Sequence, residues 1–223
     1  MKNIESVREE LKKTGKYMME YQLAWGNAGN ISARIDQDCY MITASGTFLG
    51  ELEDEDLVTC SFAGQDSKTS VKKPSKETPM HRAIYENRPD IGAVLHASPF
   101  YSTLFACSSL DIPSNLFVET MYYLERVERV AYHHPGSENL GEAVAAKARE
   151  ANILLLENHG VLVYDTSIRE ARMALQTLEM ACKMLIISQA AKAEMNIVSS
   201  EIEKDFLEKA GYKPRRQWET YKK

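Results

Sequence analysis

The sequence predicts one α/β or α+β domain in which a mixed β-sheet is covered by helices. Short apolar runs alternate with amphipathic stretches along the whole chain. Tight turns join several neighbouring runs, which indicates antiparallel pairs among them. No change of composition marks a domain boundary, and 223 residues are enough to bury a substantial core in one unit.

Composition and charge narrow the class of protein. Hydrophobic residues make up 44% and charged residues 26% of the chain, as in ordinary globular proteins. The formal charge of -5 argues against a nucleic-acid partner, and the dense basic cluster "KPRRQWETYKK" lies in the tail. The charged start is unlike a signal peptide, and no apolar run reaches the length of a membrane span. We therefore expect a cytoplasmic protein with no membrane partner.

The first half predicts a helix, three strands and a second helix. Apolar residues at helical spacing predict a helix over residues 4–24, which "WGNAGNIS" ends. "ISARI" and "CYMITAS" predict a hairpin around "DQD", and "DLVTCSF" predicts a third strand. A polar loop over 63–76 precedes a helix that begins near Thr78, because Pro79 suits its first turn.

The second half repeats this alternation. The predicted elements, in order, are a strand over 91–96, a short helix over about 99–107, the strand "VERVAY", the amphipathic helix "SENLGEAVAAKARE", the strand "NILLLE", the turn "NHG" and the strand "VLVYD". Ser167 with Glu170 resembles a capping box that opens a long helix to about Ala193. We expect a domain over 1–200 and a C-terminal helix with a basic tail over 201–223.

Two histidines at strand ends suggest a metal site. In "GAVLHASPF" an apolar run ends at His96, and in "LLLENHG" His159 leaves another apolar run at a sharp turn. Each histidine taken singly is more often structural. Adjacent strands can nevertheless bring both into one pocket, and Glu77 supplies a carboxylate. Two imidazoles and a carboxylate suit a zinc-type site with room for a substrate.

Other polar residues lie close to these in the sequence. "GNAGNIS", "TASG" and "PSKE" offer backbone N–H groups, hydroxyls and a cation of the kind that hold phosphate, although plain loops and helix capping by Ser75 or Thr78 are the alternative. His81 lies four residues after Glu77, so we expect a packing or supporting role for it. His133 and His134 are either surface residues or spare ligands.

The order of "GNAGNISAR", "MITASG", "KPSKETPMHRAIYENRPDIGAVLHASP", "YHHPGS" and "ILLLENHGVLVYDTSIREA" is similar to the class II aldolase/adducin family, over about residues 5–190. Fuculose-phosphate aldolases, ribulose-phosphate 4-epimerases and the adducin head belong to that family. The resemblance implies a three-layer αβα domain with a mixed, mostly antiparallel sheet. It also implies a homotetramer whose active sites lie at subunit interfaces.

The resemblance also assigns roles to residues. Glu77 matches the carboxylate base, and His96 and His159 match the first and third of three metal-binding histidines. The positions that match phosphate contacts are Asn27, Asn30, Ser45, Gly46, Ser75 and Lys76. Two residues depart from the family pattern. Ser98 stands where the second histidine is usual, and Lys76 stands where a second serine is usual.

The implied function is a metal-dependent aldolase. It cleaves a ketose 1-phosphate, such as fuculose 1-phosphate, to dihydroxyacetone phosphate and an aldehyde. The alternatives are an epimerase, dehydratase or decarboxylase acting on a sugar phosphate, or a non-catalytic adducin-like binding protein, because Ser98 replaces a metal histidine. Zinc is the expected cofactor with Glu77, His96 and His159 as ligands, and Ser98 keeps manganese or magnesium open. Tyr122, Tyr123 and the tail tyrosines 212 and 221 are candidate proton donors, with packing the preferred role for the first two.

Overall fold

The computed structural model describes residues 3–63, 72–216 and 218. Within them the strands are β1 Asn30–Arg34, β2 Cys39–Thr43, β3 Leu57–Ser61, β4 Ala93–Ala97, β5 Val127–Val130, β6 Ile153–Leu156 and β7 Gly160–Asp165. The helices are α1 Ile4–Glu20, α2 Thr78–Asn87, α3 Phe100–Ala106, α4 Val118–Tyr123, α5 Glu138–Lys147, α6 Ile168–Ala191 and α7 Ser200–Lys209. The described strands form one sheet in the order β3-β2-β1-β4-β7-β6-β5.

The sheet is mixed and mostly antiparallel, as predicted. β1 and β2 form the predicted hairpin, and β6 and β7 form the second one around the "NHG" turn. β5 pairs in parallel with β6, and every other pair is antiparallel. A parallel pair cannot be closed by a tight turn, and α5 makes the crossover between β5 and β6.

Helices cover both faces of the sheet, which confirms the three-layer αβα architecture. Along β4, Leu95 belongs to the apolar core shared with α1, α3 and α6, whereas Val94 belongs to the core shared with α2 and α5. Successive side chains of a strand point to opposite faces, so both faces of a central strand must be apolar here. The nearly continuous apolar runs in the sequence follow from this burial.

Some boundaries differ from the sequence predictions. α1 ends at Glu20 rather than at residue 24, and Gln22 then takes a positive φ of 57°. α4 is absent from the predictions because six residues are too few to establish a helical period. Most of the predicted polar loop over 63–76 lies outside the described residues, because the description stops at 63 and resumes at 72.

α6 begins at the predicted cap, but only half of a capping box forms. Ser167 Oγ accepts a hydrogen bond from the backbone N–H of Glu170. The Glu170 carboxylate instead accepts hydrogen bonds from Tyr123 Oη and Lys213 Nζ. Tertiary contacts with α4 and with the segment after α7 therefore replace the local contact that the spacing predicts.

None of the described helices combines the length and the apolar composition needed to cross a bilayer.

Arg88, directly after α2, forms hydrogen bonds with several segments of the chain. It is 2% exposed, and its guanidinium donates two hydrogen bonds to the Asp90 carboxylate at 2.9 and 2.8 Å. It also donates to the carbonyl oxygens of Ala148 and Ala151 after α5 and lies against the Trp218 ring. Without Arg88, the Asp90 carboxylate and the Ala151 carbonyl oxygen lose this donor. The Ala148 carbonyl oxygen still accepts from Tyr164 Oη.

We expect Arg88→Met to lower the free energy of unfolding by about 3 kcal/mol, since a buried ion pair and two carbonyl contacts are lost together. Arg82→Met is the matched control, because Arg82 forms a more exposed i,i+4 pair with Glu86 on the same helix and should cost less than about 0.5 kcal/mol. Urea denaturation of both variants measures the difference. Equal losses would contradict a structural role for Arg88.

Candidate metal centre and active site

The site lies at the end of the central strands of the sheet, where β4 ends and β1 and β7 begin. Asn30 of β1 pairs directly with His96 of β4, and Ala97 of β4 pairs with Val161 of β7. His159 occupies the turn immediately before β7. The antiparallel register therefore brings His96 and His159 together, with ring centroids 4.7 Å apart.

α2 adds the carboxylate. The side chains of Asn30 and His96 point to the sheet face that α2 covers, since Ile31 and Leu95 point to the opposite core. Glu77 is the residue that precedes α2. Its Oε2 lies 3.3 Å from His96 Nε2, and its Oε1 lies 3.2 Å from His159 Nε2. The three predicted metal ligands thus converge.

Hydrogen bonding determines which nitrogen of the His96 ring carries the proton. His96 Nδ1 lies 3.0 Å from the Val161 carbonyl oxygen, which can only accept, so Nδ1 carries the proton. Burial lowers the pKa of His96, which favours the neutral ring. The Nε2 lone pair then faces a Glu77 oxygen. Two acceptors at this distance repel each other unless a cation or a proton lies between them.

The Glu77 carboxylate is held in its charged form. Burial alone would raise its pKa, but the rings of His159 and His96, when they carry a positive charge, and the Asn30 amide outweigh burial and lower the pKa to about 2. Asn30 Nδ2 donates to Glu77 Oε2 at 2.7 Å. Although Oε1 is close to His159 Nε2, their alignment leaves Oε1 without a hydrogen-bond donor.

The side-chain atoms of this cluster suit a divalent cation as ligands. Glu77, His96 and His159 each offer a ligand atom, and these atoms lie within 4.8 Å of one another. Glu77 Oε1 and His159 Nδ1 are buried without a partner, although buried polar atoms are nearly always satisfied. A carboxylate and two imidazoles are the ligands that zinc accepts, and manganese accepts them as well. Among the described residues, the other acidic cluster is Glu5, Glu9 and Asp54, which lies near the surface, away from these histidines.

A cavity of about 360 Å³ opens onto this cluster. It is lined by all the positions predicted to contact phosphate, namely Asn27, Asn30, Ser45, Gly46, Ser75 and Lys76. The backbone supports its shape at Gly29, whose φ is 94° and where a Cβ would lie 2.8 Å from the His96 carbonyl oxygen. A larger residue at Gly29 would therefore push against the strand that carries His96.

The Ser75 hydroxyl and the Asn30 amide also have partners within the protein. Ser75 Oγ accepts a hydrogen bond from the Glu77 N–H, so it orders the entry to α2. Lys76 is exposed and lies beside Glu77 at the cavity wall. Lys76 is thus the positively charged residue nearest in sequence to the Glu77 carboxylate, and it lines the cavity in which an anion can bind.

Ser98 lines the cavity but points its hydroxyl at the backbone. Ser98 Oγ donates to the carbonyl oxygen of His159 at 3.3 Å, and a Cβ on Gly160 would lie 2.7 Å from it. Trp25 Nε1 donates to the Ser98 carbonyl oxygen at 2.9 Å. Ser98 thus holds the turn that carries His159 through its hydroxyl.

Several candidate residues lie elsewhere. The ring of His134 contacts the exposed Tyr132, and the described ligand cluster at the cavity contains neither His133 nor His134. Tyr123 Oη donates to Glu170, and Tyr122 Oη donates to the Pro214 carbonyl oxygen, so both tyrosines face the C-terminal segment. Tyr212 packs on Tyr122. Residue 221 lies outside the described part of the chain.

Sequence reasoning missed Trp25 as a cavity residue. Its indole is 64% exposed and forms part of the cavity wall. An exposed tryptophan directly before a Gly-Asn loop is the signal that could have identified it, because large exposed aromatic side chains commonly mark binding surfaces.

The chain is similar to known proteins over most of its length. The family model for the class II aldolase and adducin N-terminal domain matches residues 9–186. The 3-oxo-tetronate 4-phosphate decarboxylase of Pectobacterium atrosepticum is 35% identical over 184 residues, which cover 81% of this chain and 84% of that protein. The L-fuculose phosphate aldolase of Methanococcus vannielii is 33% identical over 160 residues, covering 71% and 84%.

A solved structure shows the same fold. YgbL from Klebsiella pneumoniae, described as an aldolase, epimerase or decarboxylase, superposes with a TM-score of 0.82 at 30% identity and covers 92% of this chain and 99% of that one. The family match, the identities and the superposition all span most of the chain. This chain therefore belongs to the family of the class II aldolase and adducin N-terminal domain.

Proposed function

We propose that the protein is a metal-dependent lyase that decarboxylates a 3-oxo sugar acid phosphate, with 3-oxo-tetronate 4-phosphate as the substrate. The observation that carries the proposal is the cluster of Glu77, His96 and His159 at the wall of a cavity with phosphate-type loops. Similarity to decarboxylases named for this substrate supports this reaction within the family. Decarboxylation thereby replaces aldol cleavage as the preferred activity.

The chemistry of this substrate fits the donor set. In a 3-oxo acid the bond from carbon 2 to the carboxyl carbon breaks, and its electron pair moves into the neighbouring ketone to form an enediolate. Protonation of carbon 2 then yields carbon dioxide and dihydroxyacetone phosphate. The costly feature is the negative charge that develops on carbon 2 and on the oxygen of carbon 3. A divalent cation held by Glu77, His96 and His159 would stabilise that charge when bound.

The residues of the chain have separate tasks in this proposal. Lys76, Ser45 and the N–H groups near Gly46 hold the phosphate and so orient the ketone. Glu77 relays a proton to carbon 2. Because its pKa of about 2 keeps it ionised at neutral pH, it takes that proton from water as the reaction proceeds. Trp25 partly covers the cavity and limits access of bulk water.

Aldol cleavage of a ketose 1-phosphate is the second candidate. It is favoured by similarity to L-fuculose phosphate aldolases, and it produces the same enediolate of dihydroxyacetone phosphate. The two reactions differ in the group that leaves the carbon next to the ketone, which is carbon dioxide from carbon 2 of the tetronate in one and an aldehyde from carbon 3 of the ketose in the other. Retention of the carboxylate and both histidines argues against a purely non-catalytic adducin-like role.

The proposal includes zinc as the cofactor, with manganese or magnesium as the alternative because Ser98 supplies no imidazole. It also includes a cytoplasmic location and a homotetramer with active sites at subunit interfaces, both of which rest on the family resemblance. Light scattering of the purified protein measures the oligomeric state directly.

We expect the metal-loaded protein to release carbon dioxide from 3-oxo-tetronate 4-phosphate faster than it cleaves fuculose 1-phosphate. Glu77→Gln should lower kcat at least about 100-fold, because it removes the proton relay and a charged ligand. Glu86→Gln, on the exposed side of α2, is the matched control and should be unchanged. Faster cleavage of the ketose phosphate would sink the decarboxylase assignment and favour the aldolase.

We expect Ser98→Ala to change the Kd for Zn²⁺ by less than about tenfold, since Ser98 bonds to the backbone and not to the cation. His96→Ala removes a ligand and should weaken binding by more than about 100-fold. Competition with a chromophoric chelator measures both values. A loss in Ser98→Ala as large as that in His96→Ala would mean that the serine coordinates the metal.

A further inference from the structure

A chain of buried hydrogen bonds extends from the cavity into the protein interior. Asn30 bonds to Glu77 at 2.7 Å, His81 Nε2 to Asn30 Oδ1 at 2.6 Å, Ser32 Oγ to His81 Nδ1 at 2.7 Å, and Tyr85 Oη to Ser32 Oγ at 2.8 Å. His81 and Ser32 are fully buried, and Asn30 and Tyr85 are nearly so. We call these four residues, Asn30, Ser32, His81 and Tyr85, the supporting chain.

The supporting chain is built by two regular elements. Asn30 and Ser32 are two residues apart on β1, so both side chains point to the face covered by α2. Glu77, His81 and Tyr85 are spaced four residues apart at the start of α2 and along it, so they form one stripe. Packing of the helix on the strand interleaves the two sets.

Glu77, at the cavity end of the supporting chain, fixes which atom donates and which accepts in each of its hydrogen bonds. A carboxylate only accepts, so Asn30 presents Nδ2 to Glu77 and Oδ1 to His81. Asn30 Oδ1 in turn requires a proton on His81 Nε2. Burial lowers the pKa of His81 to about 3, so the ring is neutral and its Nδ1 accepts from Ser32. Tyr85 then donates to Ser32. All donors point towards Glu77.

Stability alone does not explain why the supporting chain ends at Oε2 of Glu77 and not at both carboxylate oxygens. Buried polar groups need partners in any protein, but this chain satisfies Glu77 Oε2 and leaves Oε1 without a donor. Oε1 is the oxygen that lies beside His159 Nε2. A carboxylate held through one oxygen presents the other in a fixed direction, as supporting partners of metal ligands commonly do.

We propose that His81 is a positioning residue: by donating its Nε2 proton to Asn30 it fixes the amide, which holds Glu77 so that Oε1 faces the divalent cation. This inference rests on the cation site of the proposed function. It gives His81 and Ser32, which do not line the cavity, a role in the affinity for the metal.

The test is the Kd for Mn²⁺ and for Zn²⁺ in three variants of the full chain. His81→Leu leaves Asn30 Oδ1 without a donor and should weaken binding by about 10–100-fold. His81→Gln retains an N–H donor and should recover most of the affinity. Tyr85→Phe is the matched control, because it removes a buried hydroxyl at the far end and leaves the contacts among His81, Asn30 and Glu77 intact.

Wild-type affinity in His81→Leu would overturn the inference, and so would an equal loss in Tyr85→Phe, which would indicate a general effect of weakened packing. A measurement on the unaltered protein does not depend on how the variants fold. The ¹⁵N chemical shifts of His81 should report a proton on Nε2, and a proton on Nδ1 would refute the proposed direction of the chain.

The outcomes separate the two proposals. Cation binding that depends on His81, without carbon dioxide release, would refute the decarboxylase and retain the positioning role. Absence of cation binding in the wild-type protein would refute both.

Discussion

The site depends on one interaction, the close approach of the Glu77 carboxylate to two imidazole nitrogens. His96 Nε2 has a lone pair because its other nitrogen donates to Val161, so it cannot donate to the oxygen 3.3 Å away. Acceptors placed this close inside a protein are unfavourable by themselves, because a low dielectric strengthens their repulsion. A divalent cation at this position would remove the repulsion and use the same lone pairs, and it would account for three otherwise costly polar groups lying together.

The scaffold confines the polar groups to one face at one end of the sheet. On the face covered by α1, α3 and α6, the central strands contribute Ile31, Leu95 and Val163 to an apolar core. On the α2 face the same strands carry Asn30, Ser32 and His96 near the cavity. The protein thereby combines a rigid apolar layer, which supports the strands, with a polar layer in which Asn30, Ser32 and His81 are joined by hydrogen bonds.

Much of the fold could be predicted because its signals are local. The β1–β2 and β6–β7 hairpins follow from apolar runs separated by short turns, and α2 follows from Pro79 and the apolar spacing after it. Six-residue α4 lacks a period to detect. Parallel pairing of β5 with β6 could not be predicted, since it depends on the crossover through α5 rather than on either strand's residues.

The sequence by itself determined most of the elements, the family and the identities of Glu77, His96 and His159, because residue type and short-range spacing are read directly from the chain. Only the tertiary structure decided that these residues converge, that Ser98 bonds to the His159 backbone, and that Asn30 lies between Glu77 and His81. His96 and His159 lie 19 and 82 positions after Glu77 in the sequence. They come close to it only through strand register and helix packing. Those relations arise from burial of the whole chain, which no local spacing encodes.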